Sequence, residues 1–337
     1  MKTILITGIA GFIGYHLAEK LVNNGFNIVG IDNINDYYDV QLKYGRLNEL
    51  GIEQNEAQHF LQQTISSKYG ERLIFVRMNL EDQESLPNLF TNHQFDCVVN
   101  LAAQAGVRYS IENPMAYGQS NLMGFLNLLE CCRHHNVSRL LYASSSSVYG
   151  NSIDVPFTTD QDVNHPISLY AATKKANELM AHTYSHLYHI ETIGLRFFTV
   201  YGPWGRPDMA MFLFTDAIIN KKPLKVFNNG DLSRDFTYID DIIQGIEKVI
   251  ESKNQTEKYQ LYNIGNSQPV QLMDFIREIE KSSGLEAKLE MYPMQDGDVN
   301  QTWADVTELK NKFGYNPNFP VDKGVYNFVK WYKEYYK

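Results

Sequence analysis

Short apolar runs rich in β-branched residues recur through the first 195 residues, and a helical pattern separates one from the next. Runs at 3–7 (TILIT), 27–31, 73–78, 97–101, 139–143 and 191–195 predict strands, while amphipathic stretches at 12–24, 85–92, 115–135 and 169–189 predict helices. Strands joined through helices pair in parallel, because a parallel pair needs a crossover connection. The runs are apolar throughout rather than alternating, as strands covered on both faces require. The fold expected is α/β: a doubly wound parallel sheet.

After about residue 195 the texture changes. GPWGRP at 202–207 and the segment 221–223 are turn-rich, and the pattern is mixed from there on. A strand-to-helix passage at 237–248 suggests that the chain returns to the first domain near 237–264. The expected organisation is a doubly wound domain over 1–195 and a smaller α+β domain over 196–236 and 265–337. A polar, Gln-rich stretch at 49–70 interrupts the early rhythm and reads as a loop or surface helix with no chemistry attached.

Composition narrows the partners. Thirty Lys and Arg against 39 Asp and Glu give a net charge of −9, which disfavours nucleic acid, whose phosphates demand clustered basic side chains. Three cysteines, Cys97, Cys131 and Cys132, have neither metal-ligand nor CxxC spacing. They read as buried thiols in a reducing compartment, and a cytoplasmic location without signal peptide, membrane span or bound metal is expected.

The first strand runs into a glycine turn, Thr7-Gly8-Ile9-Ala10-Gly11-Phe12-Ile13-Gly14, that opens the first helix. Glycine lets backbone approach a pyrophosphate, and the helix N-terminus offers unpaired N–H groups with a partial positive charge. The spacing is GxxGxxG rather than GxGxxG. Asp32 ends the second strand, where a carboxylate suits the two ribose hydroxyls of NAD and repels the 2′-phosphate of NADP. The plainer reading of Asp32 is a turn or N-cap aspartate.

Tyr170 and Lys174 stand four apart on a predicted helix and so share a face. A free phenol titrates near 10, and a neighbouring ammonium together with a cationic nicotinamide favours the phenolate, which makes a tyrosine base usable near neutrality. The run SSSSVYG at 144–150 follows the strand 139–143, at the sheet edge where doubly wound folds bind ligands. A hydroxyl there can hydrogen-bond a sugar oxygen and relay its proton. A serine-rich turn is the structural alternative.

With these motifs in place the chain resembles the extended short-chain dehydrogenases/reductases, the NAD-dependent epimerase/dehydratase family with its Rossmann-type domain. Within it the sequence is most similar to the UDP-glucuronate 4-epimerases. The resemblance runs through TGIAGFIG at 7–14, DNINDYYD at 32–39, NLAAQAGVR at 100–108, SSSSVYG at 144–150 and the YxxxK helix. It continues through GLRFFTVYGPWGRPDM at 194–209, SRDFTYIDD at 233–241, YNIGN at 262–266 and GDV at 297–299. It implies Tyr170 as base, Lys174 as the residue that lowers its pKa and holds the nicotinamide ribose, and Ser145 as the helper at the sugar O4. It implies NAD contacts from Gly8, Gly11, Phe12, Ile13, Asp32, Asn33 and Asn35, completed by Asn79, Leu80, Leu101, Ala103 and Gln104. A homodimer formed through the helices at 115–135 and 169–189 is the family norm.

The activity so implied is 4-epimerisation of UDP-glucuronate to UDP-galacturonate through a transient 4-keto sugar, with polysaccharide precursor supply as the wider role. A 4-keto uronic acid is a β-keto acid and loses CO₂ when its carboxylate bond aligns with the carbonyl, so the carboxylate must be held out of alignment. Thr199 and Arg206, helped by Ser146 or Ser147, fit this need; galactose epimerases typically carry asparagine at the position of Thr199. Arg206 reads otherwise as a surface ion pair. Arg108 and Arg234 are implied at the sugar or diphosphate, with pairing to Asp235 as the alternative for Arg234, and Asp298 at the uridine ribose. Two departures from the family stand out: Ile9 in place of alanine, and Asp296 in place of proline. The rivals are a UDP-glucose/galactose 4-epimerase, a decarboxylase or 4,6-dehydratase on the same fold, and a non-enzymatic NAD sensor. Residues 145–148 contain no carboxylate for an elimination, and the sensor reading conflicts with the retained tyrosine and lysine.

Overall fold

The computed structural model describes residues 2–253, 256–294 and 300–336. Two compact units are present: residues 1–148, 163–196 and 246–262 form one, and residues 149–162, 197–245 and 263–337 the other. The return to the first unit therefore begins at 246, inside the Ile239–Glu251 helix, later than 237. Residues 149–162 fall in the second unit because local bonds hold them there. Tyr149 donates its hydroxyl to Asn263 Oδ1 at 2.7 Å, and Phe157 bridges to Ala304.

The first unit is built on an eight-stranded sheet. Its strands in chain order are β1 (Thr3–Thr7), β2 (Asn27–Asp32), β3 (Gln63–Ser66), β4 (Gly70–Arg77), β5 (Cys97–Asn100), β6 (Arg139–Ser145), β7 (Glu191–Phe197) and the Tyr259–Ile264 strand. Across the sheet they lie in the order Tyr259–Ile264, β7, β6, β5, β1, β2, β4, β3. β1 pairs in parallel with both β2 and β5, so the chain builds outward in one direction and then restarts on the other side of β1. That reversal is the switch point at which open α/β sheets receive ligands, beyond the carboxyl ends of the strands. The apolar runs become central strands because burial on both faces is their main stabilisation: Ile4, Leu5 and Ile6 are fully buried. Each such side chain contributes roughly 1.5–3 kcal/mol on leaving water. On one face Leu5, Val98 and Leu140 pack in a cluster with Phe125 and Leu128 of the Gly124–His134 helix. Ile9, the departure in the glycine turn, packs on Gly30 of β2, where a Cβ would collide with its side chain.

Two expectations need correction. The stretch 49–70 forms a short helix, Gln54–Ala57, and then β3, which pairs antiparallel with β4 at the sheet edge. Its pattern hides the strand because the polar residues face inward. Thr64 and Ser66 are buried, Ile65 is exposed, and Ser66 Oγ donates to the Leu50 carbonyl at 2.7 Å. The continuous helix expected over 115–135 is broken into Pro114–Tyr117, a π-helical turn at Gly118–Met123, and Gly124–His134. The wide turn releases the Asn121 carbonyl, which accepts from Asn177 Nδ2 at 2.7 Å.

The second unit is α+β. Ser233–Arg234 lies between Val270–Gln271 (antiparallel) and Gln301–Thr302 (parallel), and Phe236–Tyr238 runs parallel to Thr199–Tyr201. Helices Ala210–Ile219, Leu272–Ser283 and Val321–Tyr336 pack around it, with Phe236 stacked on Phe275 at 3.8 Å between centroids. No helix among the described residues is long and apolar enough to cross a membrane. The three cysteines are buried and unpaired.

Candidate active site

The glycine turn takes its shape from Gly8. Its φ is +75°, and a Cβ there would stand 2.8 Å from the Ala102 nitrogen, so backbone from β1 and from the end of β5 can meet only over a glycine. Gly8 N donates to the Ile31 carbonyl at 2.7 Å, and Gly11 N returns to the Gly8 carbonyl at 2.9 Å. Gly11 then caps the Phe12–Asn23 helix without a side-chain bond, and no acidic residue stands in the first turn. The N–H groups of Phe12 and Ile13 are thus free of a carboxylate competitor, the condition for receiving a pyrophosphate.

Asp32 ends β2 beside this turn. Its Oδ2 accepts from Ala10 N at 3.1 Å and its Oδ1 from Ile34 N at 2.8 Å, so the carboxylate is oriented and still has lone pairs for two ribose hydroxyls. The turn-capping role considered for Asp32 is real and compatible with that one. Asn35 N bonds Asn33 Oδ1 at 3.1 Å, and Asn35 Nδ2 reaches Gln104 Oε1 at 3.4 Å. Asn79 and Leu80 follow β4, and Leu101 to Gln104 follow β5, where Leu101 N donates to the Thr7 carbonyl at 3.2 Å. The candidate cofactor residues thus gather at the carboxyl ends of β1, β2, β4 and β5. The donor set and the glycine cradle fit a dinucleotide with free ribose hydroxyls.

Lys43, Arg46 and Asn121 were not legible as site residues. Lys43 Nζ donates to the Asn35 carbonyl at 2.8 Å and to its Oδ1 at 2.7 Å. Fully buried Arg46 donates Nη1 to the Ala10 carbonyl at 2.9 Å and to the Tyr38 hydroxyl at 2.7 Å. Their only sequence signal is the Asp39, Lys43, Arg46 spacing, which places one cap and two cations along the Val40–Glu49 helix. Asn121 takes Gln104 N at 2.7 Å and donates to Thr173 Oγ1 at 3.0 Å.

The candidate reacting groups sit where β6 meets the Leu169–Tyr188 helix. Ser168 caps that helix by accepting Ala171 N at 3.1 Å, which puts Tyr170 in its first turn. Tyr170 packs edge-on against Tyr117 at 6.1 Å. Lys174 is 3 % exposed; its Nζ lies 5.9 Å from the Tyr170 ring centroid and donates to the Ala143 carbonyl at 2.8 Å. Burial lowers the lysine to about 8. Ser145 is the last residue of β6, so the sheet fixes its backbone, and its hydroxyl meets that of Ser147 at 3.1 Å.

In the second unit Thr199 starts its strand and donates its N–H to the Asp235 carbonyl at 3.1 Å, which brings it beside the segment carrying Arg234. Arg234 Nη1 donates to the carbonyls of Ser233 (2.9 Å) and Asn300 (3.2 Å). Asp235, considered as its partner, accepts instead from Asn266 N, Ser267 N, Ala304 N and Thr237 Oγ1. Arg206 follows the Gly202–Gly205 turn and forms a bidentate pair with Asp208, Nε to Oδ1 at 3.1 Å and Nη2 to Oδ2 at 2.5 Å. The ion-pair alternative for Arg206 is therefore present within its own loop. Arg108 is exposed beyond β5. Asp298 and Asp296 lie outside the described residues. No cluster of metal-ligating side chains occurs among the described residues.

A family model described as GDP-mannose 4,6 dehydratase matches residues 5–328. Protein CapI of Staphylococcus aureus is 49% identical over 99% of this chain and 99% of its own. The probable UDP-glucuronate 4-epimerase of Rhizobium meliloti is 42% identical over 99% of this chain and 97% of its own. Among solved structures, UDP-glucuronic acid 4-epimerase from Bacillus cereus, in complex with UDP-glucuronic acid and NAD, superposes with a TM-score of 0.88 at 33% identity. That match covers 99% of this chain and 100% of that one.

Proposed function

The chain belongs to the GDP-mannose 4,6 dehydratase family of NAD-dependent epimerases and dehydratases, and from that premise we propose that it is a 4-epimerase converting UDP-glucuronate to UDP-galacturonate. The observation that carries the reading is the end of β6. Residues 145–148 contain no carboxylate for an elimination, and buried Lys174 lies 5.9 Å from the Tyr170 ring centroid. Hydroxyls and a phenol serve a proton shuttle at one oxygen; they do not serve removal of water across a carbon–carbon bond.

The residues at the ends of β1, β2, β4 and β5 would hold NAD, which would supply a reversible hydride acceptor for the sugar C4. Tyr170 takes the proton from O4 as the 4-keto sugar forms and gives it back as the new hydroxyl forms. Ser145 donates a hydrogen bond to the same oxygen and orients it. Lys174, cationic below about pH 8, stabilises the phenolate electrostatically. We assign the sugar carboxylate to Thr199 and Arg206, helped by Ser146 or Ser147. Fixing that group out of line with the C4 carbonyl suppresses loss of CO₂. Arg108 and Arg234 are assigned to the sugar and diphosphate, and Asp298 to the uridine ribose.

We further assign a homodimer. The Pro114–His134 segment and the Leu169–Tyr188 helix carry Met115 at 71 %, Leu179 at 59 % and Leu187 at 55 % exposure, apolar side chains that a second copy would cover. We assign the reaction to the cytoplasm, a reducing compartment that suits three buried, unpaired thiols.

The test incubates purified protein with UDP-glucuronate and no added cofactor, and resolves products by anion exchange with mass detection. A product of unchanged mass that co-elutes with UDP-galacturonate is expected. Release of CO₂ would make the chain a decarboxylase, and turnover of UDP-galactose alone would overturn the roles of Thr199 and Arg206.

A further inference from the structure

We propose that Glu178 and Ser144 are positioning residues: the Leu169–Tyr188 helix closes a two-point clamp on the end of β6, and the clamp sets where the Ser145 hydroxyl stands relative to Tyr170. The proposal rests on the reading of Tyr170, Lys174 and Ser145 as the reacting groups.

Lys174 and Glu178 lie one turn apart on one face of the helix. Lys174 Nζ donates to the Ala143 carbonyl at 2.8 Å, and the next residue, Ser144, donates its Oγ to Glu178 Oε1 at 2.6 Å. Two consecutive residues of β6 are thus gripped by two consecutive turns of one helix, and the residue that follows is Ser145. Tyr170 is one turn upstream on the same helix. Any slip of helix against strand changes the separation between phenol and hydroxyl, and the two bonds forbid that slip.

The grip is itself oriented. Glu178 is fully buried, and Arg196 of β7, 1 % exposed, donates Nε to Oε1 at 2.8 Å and Nη2 to Oε2 at 3.0 Å. Lys175 Nζ stands 3.5 Å from Oε2. A bidentate guanidinium fixes the carboxylate plane, so Oε1 faces Ser144 in one direction only. A buried ion pair of this kind adds little net stability compared with apolar packing, but it does specify geometry. The helix is thereby tied to β6 and β7, neighbours in the sheet.

The test uses the full chain with NAD. Ser144→Ala removes one bond and leaves the Glu178–Arg196 pair in place. Its kcat should fall roughly tenfold, because small misplacements at a reacting centre are costly. KM should stay within about twofold, as expected when only transition-state geometry is lost. The acid limb of the kcat–pH profile should move to higher pH, since a displaced Lys174 supports the phenolate less. Glu178→Ala removes the acceptor of that bond, and the double variant Ser144→Ala/Glu178→Ala should be no slower than the slower single variant, the sign of one shared interaction. Wild-type kcat and pH profile in Ser144→Ala, or additive losses in the double variant, would overturn the clamp. Amide exchange reads it without turnover: Ser144→Ala should quicken exchange at residues 145–148 and leave residues 176–188 as in the wild type. If the wild type leaves UDP-glucuronate unchanged, the substrate assignment fails by itself, and unchanged exchange at 145–148 is what would remove the clamp.

Discussion

Arg46 and Ala10 are joined across 36 residues of chain: a guanidinium buried completely inside the first unit donates to the carbonyl in the middle of the glycine turn. The turn's position beside Asp32 is therefore held from beneath by a cation as well as by the sheet.

Replacing Arg46 with methionine removes that donor and the bond to Tyr38. A lost bond of this kind costs about 1–3 kcal/mol. The expected result is a lower unfolding midpoint in urea and an NAD dissociation constant raised roughly tenfold by the same free-energy scale. Isothermal titration with NAD checks the second point, and an unaltered affinity would confine Arg46 to stability.

Tyr170→Phe keeps the ring packed on Tyr117 at 6.1 Å and removes only the proposed proton carrier. Turnover of UDP-glucuronate should fall by about 10²–10⁴, the usual contribution of a positioned acid–base group. NAD binding should persist, which retention of the dinucleotide through gel filtration would show.

Lys174 supplies a pH prediction. Burial lowers its folded-state value from 10.5 to about 8, so between those two values the unfolded chain binds the proton and the folded chain does not. Stability contributed by this group therefore rises as pH climbs from about 8 to 10.5. The shift corresponds to about 3 kcal/mol. Comparing wild type with Lys174→Met by urea unfolding across that range should show the difference closing by this amount in favour of the wild type. The same titration should weaken catalysis above about pH 8, as the ammonium beneath Tyr170 disappears.

Arg206→Ala tests restraint of the carboxylate. The loss of one charge-assisted contact, about 2 kcal/mol, should lower kcat/KM roughly 30-fold. More tellingly, a UDP-pentose formed by loss of CO₂ should appear beside the epimer. An epimer free of decarboxylated product would move the restraint onto Thr199 and the serines.

The parts of the candidate site that were legible in the chain are those written in one contiguous stretch. The glycine turn, the Tyr170–Lys174 spacing and the serine run each lie within a single element or its flank, so periodicity and turn chemistry expose them. Glu178, Asn121 and Arg46 were invisible for the opposite reason: their partners Ser144, Thr173 and Ala10 are 34, 52 and 36 residues away, and only strand order brings them together. The edge strand β3 was missed because its inward face is polar, with Thr64 and Ser66 buried and Ile65 turned outward. Arg206 shows the converse case, since both its expected chemistry and its ion pair with Asp208 are local.

The sheet of the first unit is not contiguous in the chain. Its last strand, Tyr259–Ile264, covers the edge of β7, yet some sixty residues of other structure are synthesised in between. During translation β7 therefore waits with one row of backbone donors and acceptors unpaired, as an open template for pairing with another chain. A nascent chain that stalls, or a product truncated before residue 259, carries the whole glycine turn, Tyr170 and Lys174 and still presents that bare edge. The closing of that edge is therefore tied to the delivery of residues 259–264, and the order of synthesis becomes a property of the fold.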